Sequence, residues 1–402
     1  MTDSDLRVSP SDTRTCYYCG VAKPVAEFSD EHIWPDALGG DFLSRFWRTD
    51  RVCARCNSMS GVFVDGAFIR GWAGAMERAH GAQEYLSLHT AGQSILPLNF
   101  LGKLSDPNIG TDDVADWWAG PCGATIVHFR PKDTDEDWTT YLGGDPRARK
   151  LRAGRAYIAL ASSDPFWVDV AFSSFQQHFK RSKRYAVNVS FGISIPGLSE
   201  IDRSDPIQAN DLLVVDAIIE AAREGRSIRA QQVVALDAGH RLMCKLGLAV
   251  GCQMFGESFG QHPDGDMLRR AFREADSERR RAIPIRGSGY FSGGSLKGIG
   301  LLGWPGAWVL LTQVVDSGLS LTIVAPSKKA MSIMISDDPT LISRLSEDQM
   351  EGLVCVTVPP LGQATGPLSF PSYIAHITRS ISNPDLAALE AKRSDPSSLP
   401  SC

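Results

Sequence analysis

Two cysteine pairs near the N-terminus constrain the fold of this chain more than any other feature of its sequence. The segments Cys16-Tyr-Tyr-Cys19 and Cys53-Ala-Arg-Cys56 both have the C-x2-C spacing. Each such turn can direct two thiolates at one ion at about 2.3 Å, and two turns complete a tetrahedral zinc site. Redox-active dithiols and unconnected buried thiols are the alternatives. We predict a structural Zn2+ site formed by Cys16, Cys19, Cys53 and Cys56.

No segment of the sequence is expected to direct the chain to a membrane or out of the cell. The first residues are polar and acidic, and no run of about 18 apolar residues occurs, so we expect neither a signal peptide nor a membrane span. In a cytoplasmic protein most thiols stay reduced, and an odd count of nine cysteines prevents complete pairing. The cysteines without ligand spacing are predicted to be core or tail residues: Cys122, Cys244, Cys252, Cys355 and Cys402.

Length and composition predict a multidomain α+β protein. The chain has 402 residues, 43% of them hydrophobic, and its net charge of −5 excludes polyanion binding through overall basicity. We predict a disordered leader at residues 1–14, a zinc-stapled module at 15–85, a mixed α+β domain of unknown architecture at 86–385, and a polar tail at 386–402. Within the large domain, the run around Asp316-Ser-Gly predicts a β-hairpin.

A glutamate, a histidine and an asparagine lie beside the predicted zinc site. Glu31 and His32 are adjacent between the cysteine pairs, and Asn57 directly follows the last ligand. Carboxylate and amide oxygens suit Mg2+ or Mn2+, whereas a neutral imidazole can accept a proton from water. Neighbouring side chains of an extended chain point to opposite sides, so Glu31 and His32 can act on two sides of one substrate group. A satisfied polar pair in a loop is the alternative.

Three short segments of the N-terminal region resemble a known enzyme family. The segments "CYYCG", "EHIWPDALGG" and "VCARCN", with Gly61 and Asp65, resemble the HNH endonuclease family in its zinc-knuckle form, over about residues 15–80. The resemblance implies a ββα-metal fold, in which a β-hairpin and a helix hold one catalytic divalent ion, Mg2+ or Mn2+. It further implies that His32 is the general base, that Glu31 and Asn57 bind the ion, and that Asp65 adds a carboxylate.

This resemblance implies a hydrolase that cleaves phosphodiester bonds, with double-stranded DNA as the expected substrate. A non-catalytic, zinc-stabilised nucleic-acid-binding or assembly module is the rival hypothesis. A third hypothesis is a nuclease that cleaves RNA, or a nuclease that is activated when a protein partner or a small molecule binds the large domain. Defence against foreign DNA is a role that would fit this hypothesis.

Basic residues near these motifs offer contacts for a phosphate backbone. Four arginines surround the second cysteine pair and predict such contacts, although Asp36, Asp41 and Asp50 could instead balance them on a solvated face. A second basic run, "KRSKR" at residues 180–184, is flanked by Phe179 and Tyr185, whose rings we expect to stack on bases, with a solvated face as the alternative. The four arginines are Arg45, Arg48, Arg51 and Arg55.

Overall fold

The computed structural model describes residues 13–86, 96–133, 138, 140–145, 152–188, 196–235, 237–289, 298–395 and 399–402. Most of the predicted leader therefore lies outside the described residues. The chain divides into two compact units. Unit 1 comprises Met1–Ile69 and Leu236–Lys392, and unit 2 comprises Arg70–Ala235 and Arg393–Cys402.

The predicted α+β class is confirmed, since both units combine helices with a sheet. The unit boundaries differ from the predicted domain boundaries, because the region at 86–385 is shared between both units. The chain returns to the N-terminal segment from Leu236 onward, and no change in composition marks that return. The predicted tail at 386–402 begins inside a helix, Pro384–Glu390, whose apolar side chains are buried.

The strands are short and lie in both units. In chain order they are β1 (Thr13–Thr15), β2 (Ala22–Pro24), β3 (Phe28–His32), β4 (Arg48–Cys53), β5 (Asn99–Leu104), β6 (Asp113–Ala119), β7 (Thr125–Pro131), β8 (Arg155–Ala159), β9 (Lys183–Ala186), β10 (Ala230–Gln231), β11 (Gly287–Ser288), β12 (Trp308–Val315), β13 (Gly318–Val324), β14 (Ala330–Ser336), β15 (Leu353–Val358) and β16 (Gln363–Ser369).

The helices range from single turns to 18 residues. In chain order they are α1 (Ala54–Ser60), α2 (Gly66–Ile69), α3 (Trp72–Gln83), α4 (Pro165–His178), α5 (Pro206–Arg223), α6 (Ala238–Phe255), α7 (Pro263–Arg273), α8 (Ser277–Arg281), α9 (Pro339–Ile342), α10 (Glu347–Glu351), α11 (Phe370–Ile377) and α12 (Pro384–Glu390). A π-helical segment, Gly61–Asp65, joins α1 to α2.

An antiparallel sheet with strand order β11-β14-β13-β12-β15-β16 forms the core of unit 1. Its central strand β13 is buried along its whole length, so it has apolar neighbours on both faces. The predicted hairpin is confirmed: Asp316 and Ser317 both have positive φ, the backbone form that a two-residue turn between twisted strands requires. Helix α6 packs against β14 and α7.

Unit 2 contains a second sheet, with strand order β10-β5-β6-β7-β8-β9. All its neighbouring strands are antiparallel except β8 and β9, which are parallel. Side chains of α4 pack with Ile126 and Ile158, which alternate with Val127 and Tyr157 along the strands. The second set packs with α5, so the alternation along β7 and β8 places apolar residues in two separate cores.

The aromatic residues beside the second basic run do not form a base-stacking surface. Phe179 is 4% exposed and packs on Trp118, and Tyr185 is 3% exposed and stacks on Tyr157 at 4.9 Å. The prediction that these rings stack on nucleic-acid bases is therefore wrong. The reason is that burial of a large ring in a sheet core stabilises the fold more than exposure beside lysines would.

The remaining cysteines follow their predicted places with one difference. Cys244, Cys252 and Cys355 are free and buried, as predicted for core residues. Cys122 and Cys402 form a disulfide, which closes the C-terminal end of the chain onto unit 2. Their sequence spacing gave no indication of this pairing.

Within the described residues, no helix combines the length and the apolar character that crossing a bilayer requires.

Candidate active site and zinc centre

The four predicted zinc ligands lie together. Their sulfur atoms are within 4.8 Å of one another, with Cys16 and Cys19 in the turn after β1, Cys53 at the end of β4, and Cys56 in α1. The N–H of Gly20 donates to the Cys16 carbonyl at 2.8 Å, with Gly20 at φ +71, a conformation that glycine adopts without strain. The predicted four-cysteine cluster is confirmed, and its donor set and spacing fit a zinc ion.

Contact between Cys16 and Cys56 shifts the pKa values of the two thiols in opposite directions. A hydrogen bond from the Cys56 thiol lowers the pKa of Cys16 to about 4, although burial opposes the shift. The same contact raises the pKa of Cys56. A zinc ion bound by four thiolates would displace these protons, which is why zinc affinity falls at low pH.

The cysteines fasten an antiparallel strand pair to a helix. Strands β3 and β4 pair from Phe28 opposite Cys53 to His32 opposite Arg48, with a bulge between Ser29 and Glu31. Helix α1 follows β4 directly, so the order strand, strand, helix is the one that the resemblance implied. The bulge occurs just before the two residues of chemical interest, and β-bulges commonly redirect side chains in this way.

Glu31 points into the protein, where it meets a lysine from a distant helix. Its side chain is 5% exposed, and the Tyr18 hydroxyl donates to its Oε1 at 2.9 Å. Lys245 Nζ, from α6, lies 2.8 Å from the same oxygen and 2.7 Å from Asp65 Oδ2. Lys245 is fully buried, so its ammonium group has no contact with bulk solvent. Glu31, Asp65 and Lys245 thus form a buried charged cluster. We call these three residues the inner cluster.

Burial and charge act in opposite directions on the inner cluster. Burial raises the pKa of Asp65 to about 6, and Lys245 opposes this rise. Burial alone would lower the pKa of Lys245, but Asp65 and Glu31 outweigh it and leave that pKa above its usual value. Lys245 is therefore an ammonium ion at neutral pH, and it supplies the positive charge that the two carboxylates need.

His32 points away from the inner cluster, toward the surface. Its Nδ1 lies 2.9 Å from Asp36 Oδ1, and its Nε2 lies 3.0 Å from Asp41 Oδ1. Among the described residues, however, Nε2 has no hydrogen bond of good geometry. The imidazole and the two exposed carboxylates lie close enough to share an ion, and we call them the outer cluster. Burial raises the pKa of Asp36, while His32 opposes this rise.

The loop after His32 is held by close contacts that only glycine permits. A Cβ atom at Gly40 would lie 2.0 Å from the Trp34 carbonyl oxygen, and one at Gly39 would lie 2.0 Å from Thr357 Oγ1. The Trp34 indole donates to the Leu38 carbonyl at 2.8 Å, and its ring packs on Trp308 of β12. These contacts fix the loop that carries Asp36 and Asp41 around His32.

Asn57 contacts the strand that leads to Glu31. Its Nδ2 donates to the Asp30 carbonyl at 2.9 Å and to Ser29 Oγ at 3.1 Å. The three predicted catalytic side chains thus have three separate sets of partners: Glu31 faces the inner cluster, His32 the outer cluster, and Asn57 the β3 backbone. Their roles as base and ligands stay predictions.

The predicted phosphate-binding arginines divide into two classes. Arg48 contacts Asp41 at 3.0 Å, and Arg51 forms an ion pair with Glu257. Arg45 and Arg55 are exposed and make no ion pair within the described part of the chain. The second class is therefore the one that is free to meet a phosphate.

Two features of the site had weak signals in the sequence. Asp36 follows His32 by four residues, a spacing that brings the two side chains together only when the chain turns. Lys245 interrupts an otherwise apolar helix, a signal for a buried ion pair, but nothing local identifies Glu31 and Asp65 as its partners.

The comparison with known protein families gives a match in the N-terminal segment. Residues 16–73 match the model of a family described as HNH endonuclease, which confirms the resemblance over that segment. Neither the curated proteins nor the solved structures include a significant match to the chain.

Proposed function

We propose, from the match of residues 16–73 to the HNH endonuclease family, that unit 1 carries a nuclease module that hydrolyses phosphodiester bonds in nucleic acid. The observation that supports this best is the position of His32. His32 ends a strand of the pair that the four zinc-site cysteines fasten, and its imidazole, 21% exposed, lies between the two exposed carboxylates of Asp36 and Asp41.

His32 has the contacts that a general base needs. The Asp36 carboxylate, 2.9 Å from Nδ1, favours the tautomer with hydrogen on Nδ1. In that tautomer Nε2 carries the lone pair. This atom makes no hydrogen bond of good geometry among the described residues, but it is buried and lies 3.0 Å from Asp41 Oδ1. Nε2 can accept a proton from an attacking water once the Asp41 side chain turns away from it, a role that typically contributes about 10²- to 10⁴-fold in rate.

Nucleases of the HNH family use a divalent metal ion. The inner and outer clusters differ in how well their side chains could bind such an ion. When bound, such an ion neutralises charge on the leaving oxygen. The inner cluster does not fit it as it stands, because Lys245 already contacts Glu31 and Asp65. The outer cluster offers Asp36 and Asp41, whose exposed carboxylates are ligands suited to Mg2+ or Mn2+. We assign the ion to Asp36 and Asp41, and the predicted ligands Glu31, Asn57 and Asp65 are the rival assignment.

Cleavage assays test the base and the two ligand assignments together. The full-length protein is expected to cut DNA with Mg2+ or Mn2+ and to stop when the ion is chelated. His32→Ala should lower the rate by about 10²-fold or more, with unchanged zinc content and circular dichroism. Duplex DNA, single-stranded DNA and RNA are tested in parallel to identify the polymer.

Matched amide variants separate the ligand sets. Asp41→Asn should reduce cleavage strongly, whereas Glu31→Gln should reduce it only as far as it destabilises the fold. Full activity of His32→Ala would remove His32 from the role of base. A larger loss of activity in Glu31→Gln than in Asp41→Asn, at equal stability, would favour the rival ligand set.

A non-catalytic nucleic-acid-binding module is the second candidate. The observation in its favour is that Lys245 neutralises the carboxylate the family would use for its ion. Binding of duplex DNA without cleavage in either Mg2+ or Mn2+ would support this candidate over the nuclease.

Both candidates predict that the unpaired arginines contribute to nucleic-acid binding. Arg45→Ala and Arg55→Ala should each weaken DNA binding and reduce the slope of log K against log salt by about 0.9, the value for one lost phosphate contact. Arg51→Ala is the matched control, because its guanidinium is paired with Glu257. Fluorescence anisotropy across a salt series measures the effect, and equal slopes in all three variants would contradict it.

A further inference from the structure

We propose that Lys245 is the resident cation of this module, and that its ammonium holds the position between Glu31 and Asp65 where the unit would otherwise bind a divalent metal ion. The catalytic meaning of this rests on the proposed nuclease function, since it states which cluster is left to bind the catalytic ion. The geometry of the inner cluster stands independently of it.

The coordination of the ammonium resembles that of a small bound cation. Nζ contacts one oxygen of Glu31 at 2.8 Å and one of Asp65 at 2.7 Å, and it lies 5.7 Å from the centre of the Tyr18 ring. The two carboxylates come from β3 and from the π-helical segment that follows α1, and both contact the same ammonium. The resemblance to the HNH family implies a divalent ion held between a strand pair and a helix, and the ammonium likewise joins a strand to a helical segment.

The lysine reaches this position from outside the module. Its helix α6 is otherwise lined with buried apolar side chains, including Leu242, Leu246 and Leu248. A lysine with no exposed surface in such a helix is stable only when its charge is paired, and the inner cluster is where its partners lie. The helix therefore delivers one positive charge to a site built from the N-terminal residues.

The charge in the inner cluster is incompletely balanced. Two carboxylates face one ammonium, and Asp65 Oδ1 is buried without a hydrogen-bond partner among the described residues. The Tyr18 hydroxyl donates to Glu31 and adds no charge. Hard oxygen donors with one excess negative charge and an unused lone pair are the donor set that Mn2+ or Mg2+ prefers. Removal of the lysine charge should therefore expose a divalent-ion site that the native protein does not use.

The first arm of the test keeps Lys245, so that the fold is disturbed least. Binding of Mn2+ to the zinc-loaded, full-length protein is followed by electron paramagnetic resonance. Glu31→Gln should leave the number of bound Mn2+ ions and their affinity unchanged, because Lys245 and not Mn2+ contacts Glu31. Loss of a bound Mn2+ ion in Glu31→Gln would overturn the proposal.

The second arm removes the resident cation. Lys245→Met keeps the volume of the side chain and should gain one Mn2+ ion per chain, and Mn2+ should raise its melting temperature more than that of the native protein. Lys245→Met/Glu31→Gln is the matched control, in which affinity for that added ion should fall by about tenfold or more. A folded Lys245→Met variant that binds no added Mn2+ would overturn the proposal.

These outcomes are distinguishable from failure of the proposed function. If Asp41→Asn neither loses Mn2+ nor slows cleavage, the assignment of the catalytic ion to the outer cluster fails. The same result leaves the two Lys245 arms intact, because they measure Mn2+ binding and melting temperature and not cleavage.

Discussion

Cys53→Ala is expected to release the zinc ion and to unfold the strand pair β3–β4 together with α1. Cys53 ends β4, and its sulfur belongs to the four-cysteine cluster that joins this strand to the turn after β1. Structural zinc sites contribute about 10–16 kcal/mol of apparent binding free energy, which exceeds or matches the about 5–15 kcal/mol that stabilise a whole domain. Metal content, circular dichroism and limited proteolysis of the N-terminal segment measure the effect.

The chain offers a matched control for this prediction. Cys355 is a buried thiol in β15 outside the cysteine cluster. Cys355→Ala removes a similar volume and should cost only about 1–2 kcal/mol, with full zinc content. If Cys53→Ala keeps one zinc ion per chain and melts with the native protein, the cluster does not hold a structural ion.

Lys245→Met is expected to lower the free energy of unfolding by about 3–5 kcal/mol when no divalent ion is added, since it leaves two buried carboxylates without a counter-charge. Lys245 is fully buried, and both of its carboxylate partners are buried with it. Urea denaturation of the zinc-loaded protein measures the loss. The buffers are treated beforehand with a chelating resin, so that they contain no other divalent ion.

A neutral version of the same cluster provides the control. Lys245→Met/Glu31→Gln/Asp65→Asn removes all three charges at nearly constant volume and should recover most of the lost stability, because no charge is left unpaired in the interior. A single variant as stable as the native protein would contradict the buried ion cluster. A triple variant no more stable than the single one would show that packing around Lys245, and not its charge, is what matters.

The N-terminal module depends on contacts with residues from later in the chain. Lys245 pairs with Glu31, Gln253 donates to the Arg48 carbonyl at 2.8 Å, and Arg269 donates to the Tyr17 carbonyl at 3.1 Å. Lys245 and Gln253 belong to α6, and Arg269 belongs to α7. A chain limited to residues 15–85 would lose these contacts, so experiments on the module require the full-length protein.

Features that depend on local spacing could be predicted from the sequence. Two C-x2-C turns, each closed by backbone geometry, place four sulfurs at one point once the strands between them pair. The pair Gly39-Gly40 marks a turn that no larger residue could form, and Asp316-Ser-Gly marks the β12–β13 hairpin. Within each C-x2-C turn, in the contact between Gly40 and the Trp34 carbonyl, and in the hairpin turn, the controlling interactions join residues that are close in the chain, so their spacing carries the information.

The tertiary structure alone decided which charges meet. The alternation of a strand predicted that Glu31 and His32 face opposite sides, but only the return of the chain at α6 placed Lys245 against Glu31. His32 meets Asp36 and Asp41 of the loop that directly follows it. The tertiary structure likewise decided that the Tyr185 ring is buried against Tyr157. Long-range pairs of this kind depend on how whole elements pack. A buried charge needs an opposite charge beside it, and the packing of the elements decides which residue supplies that charge. The sequence by itself therefore determined the zinc-site scaffold and the residues it displays, whereas the packing of a distant helix determined which of them face solvent and a substrate.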